Sequence, residues 1–272
     1  MLPRVLLIIG LLVSLSIVET YPNSAARSSV KPATRNLRVM TYNIHVGIGM
    51  DKKLDLERIA RVIKEQHPDL VGLQEVDRGV QRTQRIDEIV ELAKLTRMNY
   101  DFAFNLRYQG GQYGVAILSR FPIISTDHRL YQNLREAERR GFIRGEVLIE
   151  GRSINFVTTH LDYQFDEGRL FETQQLLAAL KDVKPPLIVV GDFNDTPLGQ
   201  SYQLMRKQFG DAWAENRPAD DGFSYPTDKP AKRIDYIFFR ATDRVRTKRA
   251  WIVETQASDH LPVVADLEVR LP

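Results

Sequence analysis

The spacing of apolar residues along the chain alternates between unbroken short runs and stretches with helical periodicity. The first run, residues 5–18, is interrupted only by Gly10, Ser14 and Ser16 and follows a weakly basic start at Arg4. It is short for a bilayer span and has the length of a signal-peptide core. Residues 1–26 are therefore predicted to be a signal peptide or an N-terminal anchor, which places the protein in the periplasm or outside the cell. Residues 27–36 carry Ser28, Ser29, Pro32 and scattered basic side chains and read as a linker. The folded domain is predicted over 37–272.

Within that domain, 37–42 reads as a buried strand ending at Asn43. Leu56, Ile59, Ala60 and Ile63 then form one helical stripe behind Asp55, a good N-cap, and the helix closes at His67-Pro68. Residues 70–73 predict a second buried strand that delivers Gln74 and Glu75. A second helix is predicted over 85–95, with Ile86, Ile89, Val90 and Ala93 inward. Strands follow at 101–104, 114–119, 123–130, 142–149 and 154–159, then a helix at 170–181, a strand at 186–190 and a helix at 201–208. Three more strands, 234–239, 245–253 and 263–269, complete the pattern. Helices that alternate with isolated strands and with hairpins predict an α/β fold of mixed sheets with helices outside them.

Composition narrows the chemistry. The chain has 272 residues, 43% hydrophobic and 27% charged, which suits a globular domain with a sizeable core. It has no cysteine, so a thiolate nucleophile, a disulfide framework and a cysteine-held metal are excluded. The net charge is only +3, but Lys229, Lys232, Arg233, Arg240, Arg244, Arg246, Lys248 and Arg249 crowd one segment. That segment reads either as a patch for a phosphate polymer or anionic surface, or as a solvated strand pair. No motif marks an obligate protein partner.

The informative feature is what stands where the hydrophobic runs end. Asn43, Glu75, His160, Asp192 with Asn194, Asp235 and His260 each close or open an apolar run. Strands converging at one edge would bring these groups together on a rigid base. Glu75 is a sufficient core ligand for a hard divalent cation, which prefers oxygen, with Asn43 near enough to assist. His260 with Asp235 or Asp259 makes a candidate base and orienting pair. Asp192 and Asn194, two apart, would point the same way on an extended segment, or would form an Asp-Asn turn. His160 is a candidate donor to a phosphoryl oxygen. Arg140 is a candidate guanidinium for substrate phosphate, or else part of a charged loop. No nucleotide-binding loop, serine elbow or zinc-peptidase helix is present.

Taken in order, Tyr42-Asn43-Ile44-His45, Leu73-Gln74-Glu75-Val76, residues 113–119, Thr159-His160-Leu161, Gly191-Asp192-Phe193-Asn194, Arg233-Ile234-Asp235-Tyr236 and Ser258-Asp259-His260 resemble the endonuclease/exonuclease/phosphatase superfamily, also called DNase I-like. The resemblance spans residues 39–267. It implies a four-layer α/β sandwich of two mixed β-sheets flanked by helices, and Mg²⁺-assisted attack of water on phosphorus, with Mn²⁺ as a substitute. By this resemblance Glu75 binds metal, Asn43 supports metal or phosphate, and Asp259 is a further metal contact. Asn194 and His160 meet phosphate, Asp235 orients His260, and Asp192 and His260 share the role of base. His45 stands where abasic-site nucleases often carry an aspartate, which makes it an accessory position and a second tightly held metal unexpected. The resemblance is closer to the branch of exported and sphingomyelinase-like hydrolases. The expected substrate is a phosphodiester, in nucleic acid or in a lipid or small-molecule head group. A phosphomonoesterase acting on an inositol phosphate, and a noncatalytic metal-binding module, are the alternatives.

Overall fold

Each of the two sheets is organised around one parallel strand pair, and the reason lies in the chain order. In the computed structural model, which describes residues 33–217 and 219–271, β1 (Ala33–Asn43) and β2 (Leu70–Arg78) form a parallel neighbour pair joined through α1 (Leu56–Gln66). They are followed by α2 (Glu88–Thr96), β3 (Asn99–Tyr108), β4 (Gly111–Ser119), β5 (Ile123–Leu130) and β6 (Gly141–Ile149). The second helix-joined pair is β7 (Arg152–His160), α3 (Asp166–Leu180) and β8 (Leu187–Asp192). Then come α4 (Gln200–Arg206), β9 (Phe209–Asp211), α5 (Ala212–Asn216), β10 (Asp235–Arg240), β11 (Val245–Ile252) and β12 (Val263–Leu271). The sheets have six strands each, in the orders β11-β12-β1-β2-β4-β3 and β5-β6-β7-β8-β10-β9. The β1/β2 and β7/β8 pairs are parallel because a helix carries the chain back to the same edge; the hairpin neighbours are antiparallel.

Alternation along the strands builds the layers. On β1, Leu37 and Val39 enter the cluster between the sheets, while Met40 and Tyr42 pack with Ile59 and Ile63 of α1. On β7 and β8, Phe156, Ile188 and Val190 face the other sheet, and Val157, Leu187 and Val189 meet Leu176 and Leu180 of α3. Both faces of these strands are covered, which is why they read as unbroken apolar runs. The result is the four-layer α/β sandwich: helix, sheet, sheet, helix.

The sheets pack without room for a side chain at Gly72, just beneath the ends of the parallel pairs. A Cβ on Gly72 of β2 would lie 2.3 Å from Val190 Cγ2 and 2.7 Å from Thr158 Oγ1. Beside it, Gln74 donates to Thr158 Oγ1 at 2.8 Å and accepts from Thr41 Oγ1 at 3.3 Å, clamping the sheets through fully buried polar groups.

Several boundaries differ from the sequence expectation. Residues 33–36 of the expected linker are strand: β1 begins at Ala33, because its first residues find a ready edge in Leu271 to Glu268 of β12. Residues 1–32, which hold the expected signal or anchor segment and the rest of the linker, lie outside the described residues. Among the described residues, no helix is long and apolar enough to cross a membrane. The second helix starts at Glu88 behind Asp87, whose side chain accepts from Val90 N, so its stripe turns to Ile89, Leu92 and Ala93 and leaves Val90 39% exposed. The short β9 and α5 were not expected; three and five residues are too few to show a period.

Candidate active site

Register brings the polar strand ends together. Asn43 at the end of β1 stands beside Gln74 on β2. In the other sheet His160 pairs with Asp192, and Asp192 with Asp235, so three side chains sit side by side on β7, β8 and β10. The β2 register slips between Leu73 and Val76, and Glu75 adopts a φ of 56°. This bulge lets Gln74 turn inward to the sheet clamp while Glu75 enters the cleft. The cleft has a volume of about 980 Å³ and is lined by Glu75, Arg140, His160, Asp192, Asn194, Asp259 and His260 among others.

Asn43 is the bridge. Its Nδ2 donates to Glu75 Oε1 and to Asp192 Oδ2, both at 3.1 Å, while its Oδ1 accepts the His45 backbone N–H at 3.0 Å. Ser258, whose Oγ donates to the Asn43 carbonyl at 2.7 Å, ties the final loop to the same strand end. An amide N–H cannot ligate a cation, so in this arrangement Asn43 positions the two carboxylates. Among the described residues Glu75 Oε2 has no hydrogen-bond partner, and Asp259 also lines the cleft. These oxygen donors fit a hard divalent cation. Asp192, Asp235 and His260 also place ligand atoms within 4.8 Å of one another. There, however, Asp235 Oδ2 accepts from His260 Nδ1 at 2.9 Å and from Ser224 Oγ at 2.6 Å, an arrangement that orients a histidine and handles protons.

The two histidines are set to opposite states. Burial alone would lower the His260 pKa; the charges of Asp235 and then Asp192, the Asp235 hydrogen bond and Asp259 outweigh it and hold the group up at about 10. His160 is pushed well below its ordinary value by burial, then by the charges of Arg140 and His260. Arg140 lies 2.7 Å from His160 Nδ1 and has no acceptor, so Nδ1 carries the lone pair and the proton sits on Nε2. That N–H faces Asp192 Oδ2 at 3.5 Å. Between them, Asp192 is pushed up to about 7, by burial first and then by Asp235, against the pull of His260, whose Nε2 is 3.6 Å away.

The remaining expected residues divide by place. Asn194 is in a left-handed turn, φ 49°, not on an extended segment. Its N–H caps Asp192 Oδ1 at 2.9 Å, and its Nδ2 lies 3.1 Å from His160 Nε2 and donates to Leu161 O at 3.0 Å. The Asp-Asn turn and the approach to the cleft thus coexist. Arg140 lines the cleft but is buried, held by Glu138 at 3.1 Å and spent in part on His160. His45 sits 3.8 Å from Asp259, and its Nδ1 donates to Ile48 O at 3.1 Å.

The basic segment 229–249 does not gather at the cleft. Lys232 lines it, but Arg233 is buried against Asp211 at 2.6 Å, and Arg240 donates to the carbonyls of Val183 and Leu180. Lys248 pairs with Glu268 at 2.7 Å on β11, and Arg249 lies over Trp251. Sequence reasoning missed Ser224, Tyr225, Arg82, Tyr108 and Tyr113. Tyr225, whose ring is 4.6 Å from that of His260, and Ser224 sit in an irregular segment where no periodicity points inward.

A two-sheet sandwich with this convergent set defines a phosphoester-hydrolase class, and residues 40–260 match the Endonuclease/Exonuclease/phosphatase family. The chain belongs to that family, whose members are typically phosphoester hydrolases that commonly use divalent metals. It is similar to the uncharacterized protein YbhP of Escherichia coli strain K12, 25% identical over 253 residues that cover 86% of this chain and 97% of YbhP. Among solved structures, an endonuclease/exonuclease/phosphatase family protein from Bacteroides thetaiotaomicron superposes with a TM-score of 0.73 at 19% identity, covering 88% of this chain and 99% of that one. A mannosyl-6-phosphatase of the same organism gives 0.70 at 18% identity, covering 85% and 99%. At those identities the likeness is one of fold.

Proposed function

We propose that the protein is an exported, Mg²⁺-dependent hydrolase that cleaves a phosphodiester carrying a small head group. The carrying observation is the Asn43 bridge: one amide sets Glu75 and Asp192 side by side, with the His260–Asp235 pair against Asp192. Glu75 and Asp259 would hold a divalent cation, which would supply charge neutralisation at the phosphoryl oxygens.

The other roles follow from protonation. Asp235 orients His260 and holds it toward its cation, which suits it to give a proton to the leaving oxygen, while Asp192, raised by burial and 3.6 Å away, is suited to take one from the attacking water. The Nε2–H of His160 donates to a phosphoryl oxygen as charge develops there, with Asn194 beside it. A small head group is favoured over nucleic acid because a polymer needs cations along several phosphates, and the 229–249 segment offers the cleft only Lys232. Export rests on the apolar run at 5–18.

The test presents the full chain, with Mg²⁺, with supercoiled plasmid and with glycerophosphoethanolamine in parallel. Cleavage of the small diester without nicking is the expected result. Nicking abolished by His260→Ala would replace this reading with a nuclease.

A further inference from the structure

The hydrolytic scheme leaves one wall of the cleft unused. Arg82 reaches it from the turn after β2, where its Nε and a terminal nitrogen donate to the two oxygens of Asp77 at 2.7 and 2.9 Å. Asp77 is fully buried and also accepts from Thr83 Oγ1. The guanidinium lies over the rings of Tyr108 and Tyr113, 4.7 and 5.3 Å from their centroids. Its own backbone N–H is held by the Gln109 side chain at 2.9 Å, which ties the turn to the β3–β4 hairpin. An arginine fixed in this way is pre-organised, with its second terminal nitrogen still able to donate. Arg82, Tyr108 and Tyr113 line the cleft together with Glu138 and Arg140.

The charge of this wall is balanced. Asp77 offsets Arg82, and Glu138 offsets Arg140 at 3.1 Å, so it is poorly suited to a second phosphate. It holds donors and an acceptor side by side, which matches hydroxyl groups, since each can give and take a hydrogen bond. Tyr108 is 41% exposed and Tyr113 is buried, and because Arg82 covers one face of the Tyr108 ring, a ligand is left the other face of that ring as its platform. A ring with one apolar face and a rim of hydroxyls has that complementary shape. We propose that the wall formed by Arg82, Tyr108 and Tyr113 is a recognition subsite for the sugar ring of a phosphoester substrate. This inference rests on the hydrolase reading above and names the alcohol part of its substrate.

Three matched methyl phosphodiesters test it: those of glucose at O6, of ethanol and of thymidine at O5′. Binding is measured by calorimetry on the full chain with a chelator present, so turnover is not needed. The glucose diester is expected to bind at least tenfold more tightly than the ethyl diester, and Tyr108→Ala and Arg82→Lys each remove that preference. Because Tyr108 is exposed and Arg82→Lys keeps the charge facing Asp77, both variants are designed to fold, which thermal melting checks. No preference for glucose in the wild type, a preference that survives both variants, or a stronger preference for the thymidine diester overturns the inference. Failure of the hydrolase reading looks different: the glucose preference persists, but Mg²⁺ elicits no cleavage of any diester.

Discussion

Asp235→Asn is nearly isosteric, yet it removes the charge that sets the state of His260. Asp235 Oδ2 lies 2.9 Å from His260 Nδ1, and among the groups that raise that histidine its charge comes first. The rise from 6.5 to about 10 corresponds to roughly 5 kcal/mol of preference for the cation at about 1.36 kcal/mol per unit. Without Asp235 the largest raising charge and its hydrogen bond are both lost, so the His260 pKa falls from about 10 toward its ordinary value. Ser224 Oγ can accept from the new amide, so the fold has no need to change. Loss of the general acid should lower kcat by about 10²–10⁴ on a diester with a poor leaving group. The loss should be smaller on bis(4-nitrophenyl) phosphate, whose leaving group needs no proton. Steady-state kinetics on the two substrates gives the ratio, and an NMR titration of the metal-free protein follows the His260 ring. Equal losses on both substrates, or a His260 titration unmoved by the substitution, would refute the assignment of His260 as the acid.

Other outcomes follow from the same geometry. Glu75→Gln should weaken Mg²⁺ binding at least tenfold in a calorimetric titration while leaving the thermal midpoint of the metal-free protein nearly unchanged, since Oε2 makes no hydrogen bond among the described residues. Gly72→Ala overpacks the contact of β2 with Val190 and Thr158 of the other sheet and should cost about 1–3 kcal/mol in urea unfolding. Glu172, buried beneath the Asp162 loop, is raised to about 7 by burial first, with the charge of Asp162 adding to this against the hydrogen bond from the Asp162 N–H. A carboxyl raised in the fold stabilises fully below its unfolded value near 4.5, and that contribution is lost as pH rises through about 7. Glu172→Gln should therefore melt higher than the wild type at pH 8.5, by an amount on the order of 3 kcal/mol, and show no such gain at pH 4.5. Arg140→Gln should let the His160 ring titrate closer to its ordinary range, visible in nitrogen NMR, because a positive neighbour and the tautomer lock are both removed.

What could be read from the sequence and what could not differ in kind. Asn43, Glu75, His160, Asp192, Asp235 and His260 end or begin apolar runs, and strand ends in one register are adjacent in space, so their convergence was legible. The fold class was legible for the same reason: both faces of β1, β2, β7 and β8 are covered, and helical stripes separate the members of each parallel pair. The identity of partners was not. That Arg140 would lock His160 depends on β6 lying beside β7, and that Arg82 would stack on Tyr108 and Tyr113 depends on the β3–β4 hairpin folding over the turn after β2. Local charge alone could not decide between the two readings of 229–249, where a run of cations conceals Arg233 and Arg240 buried in structural bonds. A sequence records how many charges a segment has; packing decides which of them face a ligand.

The most direct test of the central claim is Mg²⁺-dependent release of 4-nitrophenol from bis(4-nitrophenyl) phosphate by the full chain, beside Asp192→Asn and a chelator control. Turnover that requires the metal and falls at least a hundredfold in a folded Asp192→Asn protein is the predicted result. Turnover that persists in that variant, or none from a wild-type protein shown to bind Mg²⁺, would contradict the assignment of this cleft as a phosphoester-hydrolase site.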